Sequence, residues 1–253
     1  MRRGALLASL LALAATGLSA GQPSIEAIRA RGVIVFAALA GDDRPHLYRD
    51  GEEWRGTELA YVRKLAARLG VAWRIDIAPS YDECLDRLES GSADVLLAGA
   101  HANTEDARAF LFSKPYRELD CYLIVDRMRF ARSAEPFPKK LEEELRGLEG
   151  SRIGVDRRSS ARIFLRGFPD SEIIGYDSQS GAAAALFAGA LEACVVDERE
   201  YAASFRDSPR RFLFYRPIKI LTHHEEVSMA VHWKNEDLLR VVDLILAERA
   251  YDR

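Results

Sequence analysis

The sequence predicts an α/β protein of two bodies joined by extended segments. Three observations carry this. Residues 33–98 alternate continuous apolar runs with helical periodicity in the order βαβαβ, which implies a parallel sheet with covering helices. Residues 141–196 repeat the alternation as a second series. Between them, residues 99–116 (GAHANTEDARAFLFSKPY) form an elbow that crosses a short helix. Pro115 cannot continue a helix and biases Lys114 towards extended chain.

Each element has its own signal. Residues 33–38 (VIVFAA) are a continuous β-branched run, as expected of a strand buried on both faces. A polar loop over 41–55 holds Pro45, His46, Tyr48 and Trp54. Leu59, Val62, Leu65, Ala66 and Leu69 recur at helical spacing, and Gly70 stops that helix. Residues 72–77 are the second strand. Ser80-Tyr81-Asp82-Glu83 is a capping box that opens the next helix, and 93–98 is the third strand. Residues 130–138 read as a surface loop. Helices then follow over 141–148, 160–167 and 180–189, with strands at 152–155, 172–176 and 193–196. Residues 212–215 and 227–232 are expected as two later strands, and Asn235 as the cap of a last amphipathic helix. Ligands of such sheets bind at the carboxyl ends of the strands, so a cleft between the bodies is the expected site.

The chain opens Met1-Arg2-Arg3, continues small and apolar to Gly17, and reads Leu18-Ser19-Ala20. A charged start, an apolar core and a small-residue end describe a secretory signal peptide over residues 1–20. The run is short of the about 20 residues a spanning helix needs. Without Arg2 and Arg3 the 36 basic residues become 34, against 39 acidic, a net charge of −5. This mildly acidic chain has no basic face for nucleic acid. Cys84, Cys121 and Cys194 lie among apolar neighbours without a C-x-x-C; one pair could bridge, or all three are buried small hydrophobes. No G-x-S-x-G, P-loop or G-x-G-x-x-G occurs, and no cofactor is expected. His223 and His224 are adjacent in extended chain, so they point to opposite sides and do not chelate a metal. Glu225 and Glu226 read as a solvated approach to the following strand.

Several segments together resemble the extracellular solute-binding proteins of family 3. They are Gly32-Val33-Ile34-Val35, Gly56-Thr57-Glu58-Leu59, Leu88-Glu89-Ser90-Gly91-Ser92-Ala93-Asp94-Val95, the elbow end Phe112-Ser113-Lys114-Pro115-Tyr116, and Leu186-Phe187-Ala188-Gly189 with Asp197. The resemblance implies a two-lobed periplasmic binding protein-like fold (type II) with a two-strand hinge. Lobe 1 would hold residues 21–119 and 220–253, and lobe 2 residues 120–219. It also implies a monomer that binds a small polar solute in the periplasm and meets an ABC transporter permease or another periplasmic protein.

The same resemblance marks candidate ligand-binding residues. In amino-acid binders of the family an elbow arginine clamps the ligand carboxylate, because a planar fork of donors suits it. That position here is Asp106, and Arg108 lies about 200° further round a helix. Asp106→Arg is therefore expected to recover some glutamine or histidine binding. His46 stands where an aromatic stacks on the ligand, and His101 where a small hydroxyl residue lines the site. Gly99 opens the elbow, Tyr81 is equally a core or a site aromatic, and Asp197 matches the acid for an α-amino group. Arg157, Arg158, Ser159 and Ser160 stand at the family's glycine and hydroxyl pair, with Arg158 for the glycine. The ligand's anion could rest on Arg157, Arg158 and the amides after Ser159, or the arginines are solvated surface charges. Two further functions stay open. One is a ligand-independent sensory or accessory protein. The other is a cyclohexadienyl dehydratase-like enzyme, with Asp106, His101 and Asp197 as its acid and base.

Overall fold

The computed structural model describes residues 24–40, 43–128, 145–206 and 208–250. The expected signal peptide, the expected loop at 130–138 and the start of the expected helix at 141–148 lie outside these residues. No described helix is long and apolar enough to cross a membrane.

Lobe 1 is built around β1 (Val33–Leu39), which pairs in parallel with β4 (Ala72–Ala78) and β5 (Val95–Ala100). Helices α1 (Ile25–Arg31), α2 (Leu59–Leu69) and α7 (Glu236–Ala250) cover one face, with Phe36, Val62 and Leu97 inside. Helix α3 (Tyr81–Glu89) covers the other over Val35, Leu88 and Leu96. The polar loop expected over 41–55 holds more structure than a loop, because β2 (Tyr48–Asp50) and β3 (Glu53–Arg55) form a hairpin within its described part, residues 43–55. The elbow holds a 3-10 turn (Asp106–Arg108) and β6 (Phe110–Phe112).

Lobe 2 has its own core. Strand β8 (Arg152–Asp156) pairs in parallel with β9 (Glu172–Tyr176) and β10 (Ala193–Asp197). Ile153, Val155 and Leu165 pack on one face; Leu186, Cys194 and Phe205 pack on the other, beneath α4 (Gln179–Phe187). Two short helices, α5 (Glu198–Tyr201) and α6 (Pro209–Phe214), lead out of it, the second where a strand start at 212 is expected.

Two long strands join the lobes. Strand β7 (Arg117–Asp126) runs antiparallel to β11 (Tyr215–His232). The strand expected at 227–232 is thus the end of a much longer one, in which Glu225 and Glu226 lie, while of the strand expected at 212–215 only Tyr215 belongs to it, because α6 runs to Phe214. Pairing runs from Tyr215–Asp126 to Ile220–Cys121, shifts, and resumes at His224–Asp120. The register break leaves residues 221–223 opposite a single step of β7, a local bend between the lobes. Cys84, Cys121 and Cys194 are all buried and unbridged.

Candidate functional site

A cleft of about 430 Å³ opens between the lobes. Lobe 1 lines it with Leu39 and Gly99 from the carboxyl ends of β1 and β5, and with Tyr81 and Asp82 from the start of α3. Lobe 2 contributes Asp156 and Asp197, the last residues of β8 and β10, with Arg158 and Ser159 between. Gly99 has φ 140°, and a Cβ there would lie 3.3 Å from Arg199 Nη1. Only glycine lets this strand end accept the arginine of the opposite lobe without strain.

Asp106 is buried at 7% exposure beside the cleft. Its carboxylate accepts from Tyr81 Oη (3.2 Å) and Asn103 Nδ2 (2.7 Å). Arg158 reaches it from lobe 2, with Nε 3.6 Å from Asp106 Oδ1 and Nη2 2.6 Å from Asp82 Oδ1. The Arg158 guanidinium also stands 5.2 Å over the Tyr81 ring. Burial, then the Asp106 charge, push the Tyr81 hydroxyl up from its ordinary value. Arg158 is therefore engaged in a bridge across the cleft, which changes one expectation. Arginine at 106 would meet Arg158 before any ligand, so the single substitution does not make a carboxylate clamp. Arg108 is exposed, away from this cluster.

Asp197 is 3% exposed and caps α5, accepting the amides of Arg199 (2.9 Å) and Glu200 (2.9 Å). It also accepts Arg199 Nη2 at 3.2 Å and Gln179 Nε2 at 3.2 Å. Burial alone would raise its pKa, but Arg199 and the capping amide outweigh it and hold the carboxyl below its ordinary value. Burial opposes the Arg199 charge, yet Asp197 and Asp43 drive its pKa above the ordinary range. Sequence reasoning missed Arg199, Asn103 and Gln179. A strand-end Asp followed two residues later by Arg was the legible signal for the first.

Ser159 and Ser160 meet Glu225 rather than open space. Ser160 Oγ donates to Glu225 Oε2 (2.7 Å), the Ser159 hydroxyl donates to Oε1, and the amides of Ser160 (3.4 Å) and Ala161 (3.3 Å) complete the set. Glu225 is 1% exposed, not a solvated residue as expected. Its alternate neighbours on β11 diverge: His223 Nε2 lies 2.9 Å from Ser160 Oγ, and His224 Nδ1 3.4 Å from Asp120. Cys121, His223 and Glu225 place potential ligand atoms within 4.8 Å of one another, but the Glu225 oxygens already accept these donors. His101 lines the cleft, its Nδ1 3.0 Å from the Glu226 carbonyl and 3.8 Å from Glu225.

The other two predicted residues stand apart. Arg157 is half-exposed and paired with Asp177 at 2.5 Å. His46 is bonded to Thr57 (3.2 Å), outside the cleft lining. Beside it, Glu58 is 1% exposed, accepting Tyr116 Oη (3.0 Å) and lying 3.3 Å from Arg117, which also holds Asp43 at 2.9 Å. This network fastens the elbow's end to the loop before α2. Burial outweighs Arg117 and raises the Glu58 pKa from 4.5 to about 6. A raised carboxyl pKa gives stability that is full below 4.5 and falls as pH rises through 6, by about 2 kcal/mol in all. Glu58→Gln keeps the acceptor and never ionises. Thermal melts from pH 4 to 8 should show the variant gaining on the parent as pH rises through this window; a constant difference would count against a raised Glu58.

The family profile of bacterial extracellular solute-binding proteins, family 3, matches residues 35–252. The fold is similar to that of a mutant of ArgBP from T. maritima (22% identity, TM-score 0.60, 90% of this chain and 93% of that one). It is similar also to the periplasmic VFT2 domain of Bordetella pertussis BvgS (20% identity, TM-score 0.65, 88% and 90%). Two membrane-bound lytic murein transglycosylases F, from Maricaulis maris and Alcanivorax borkumensis, are each 32% identical over 104 and 123 residues. The matches take 41% and 47% of this chain, which spans only about a quarter of those proteins (23% and 26%). The solved neighbours have the two-lobed type II periplasmic binding protein fold seen here.

Proposed function

Because the chain belongs to the bacterial extracellular solute-binding proteins of family 3, we propose that it binds a small polar solute in the cleft between its lobes. In this reading it is exported after cleavage at Ala20 and delivers the solute to an ABC uptake transporter. The observation that carries it is the cleft of about 430 Å³, lined from both lobes at the carboxyl ends of parallel strands. Lobe 1 is residues 21–119 with 220–253, and lobe 2 is 120–219. The separate apolar cores and the register break at 221–223 support that division. The lobes close on the solute by bending where the strands cross.

The test uses protein recovered from the periplasm, whose N-terminal sequence should begin at Gly21. A thermal-shift panel of amino acids, their amides, polyamines and organic acids should contain a saturable stabiliser. That compound should also reduce the radius of gyration in small-angle scattering. A panel without any stabiliser overturns the reading.

One observation favours a second reading. Arg158 already bridges Asp82 and Asp106 across the cleft. A protein closed by its own ion pairs would act as a ligand-independent accessory or sensor. Capture of a periplasmic partner by a protein that no solute stabilises would favour it.

A further inference from the structure

Resting on the solute-binding reading, we propose that the solute is a cation without a carboxylate, an alkylamine or guanidine rather than an amino acid. The argument begins with helix starts. The amide groups and dipole of a helix start ordinarily bind anions. Several such starts face this cleft: the chain's own carboxylates answer two of them, and Ser80 and Ser178 cap those of α3 and α4. Glu225 takes both hydroxyls and both amides that open the helix Ser160–Gly167. Asp197 takes the first amides of α5. Asp156 accepts the Arg158 amide at 2.8 Å, and Asp82 lies in the first turn of α3.

The guanidiniums of the cleft are answered in the same way. Arg158 is held by Asp82 and Asp106, and Arg199 by Asp197. A ligand carboxylate would have to displace one of these internal ones, several of them buried. The built-in Glu225 carboxylate thus occupies the donor set that a ligand's carboxylate would use.

What remains is negative. Six carboxylates line the cleft (Asp43, Asp82, Asp156, Asp177, Asp197 and Glu200) against the guanidiniums of Arg158 and Arg199. Arg117 and Arg157, from outside the lining, pair with Asp43 and Asp177. Asp156 and Glu200 lie outside all of these ion pairs; Glu200 accepts the Ser204 hydroxyl. A cation entering the cleft gains attraction from these carboxylates, and a second, anionic end meets their repulsion while Arg158 and Arg199 are already ion-paired. Leu39, Leu47, Pro79 and Ala203 supply apolar wall for a short methylene chain.

Calorimetry at low salt on the mature protein compares three matched pairs: L-arginine with agmatine, L-lysine with cadaverine, and L-ornithine with putrescine. The decarboxylated member of at least one pair should bind, and at least tenfold tighter than its amino acid. Equal or tighter binding of the amino acids overturns the inference while leaving solute binding intact. So does silence of all six with a neutral or anionic stabiliser in the wider panel. Silence across the whole panel overturns the solute-binding reading itself. Glu225→Ala, if its melting curve remains cooperative, should raise L-arginine affinity relative to agmatine at least tenfold. An unchanged ratio would overturn the role given to Glu225, and the matched pairs on the parent protein decide the ligand class even where this variant does not fold.

Discussion

Asp106→Arg should destabilise the protein and bind no L-amino acid, although it installs a donor fork in the elbow. The new guanidinium would lie where a carboxylate now stands 3.6 Å from Arg158 Nε. Like charges at about 4 Å cost on the order of 4 kcal/mol at an effective dielectric near 20. The acceptor for Tyr81 and Asn103 is lost as well. Removing the second arginine should relieve this. Asp106→Arg with Arg158→Gly should melt close to the Arg158→Gly parent, a coupling on the order of 2 kcal/mol or more between two touching sites. Any glutamine binding should arise in the double variant and not in the single one. Melting curves and calorimetry on all four forms decide this. Additive effects would mean that the Arg158–Asp106 contact does not form in solution.

Asp197→Ala should have a comparably large effect for a different reason. The side chain caps α5, a contribution of about 1 kcal/mol. It also holds Arg199, whose side chain is 23% exposed, so losing this partner of a part-buried pair costs about 3 kcal/mol, the low end for buried pairs. For a chain of this size the sum corresponds to a fall in melting midpoint of roughly 10 °C or more. Asp197→Asn keeps a capping oxygen and should fall about half as far. A drop of only a few degrees for the alanine variant would show that Arg199 finds an equivalent anion nearby, and Asp43 would be the first to test.

The sequence by itself determined the two α/β series, the elbow and the order of most strands. These follow from local signals: apolar runs, helical spacing, Ser80 as a cap, and Pro115. Asp106 and Arg158 could also be read as departures from a pattern, because each is a change of residue at one position. That the two departures meet was decided by tertiary structure. Asp106 lies in lobe 1 and Arg158 in lobe 2, and no local signal reports a contact formed across a cleft. Glu225 is the clearest case. Beside two histidines and another glutamate it reads as solvated chain. Only β11, running unbroken from Tyr215 to His232 between the lobes, buries it against Ser159 and Ser160. Arg199 had a local signal in its pairing with Asp197, but its approach to Gly99 depends on how the lobes face each other. Local periodicity writes the elements into the chain, while the matching of charges between lobes exists only once long-range strand pairing has brought them together.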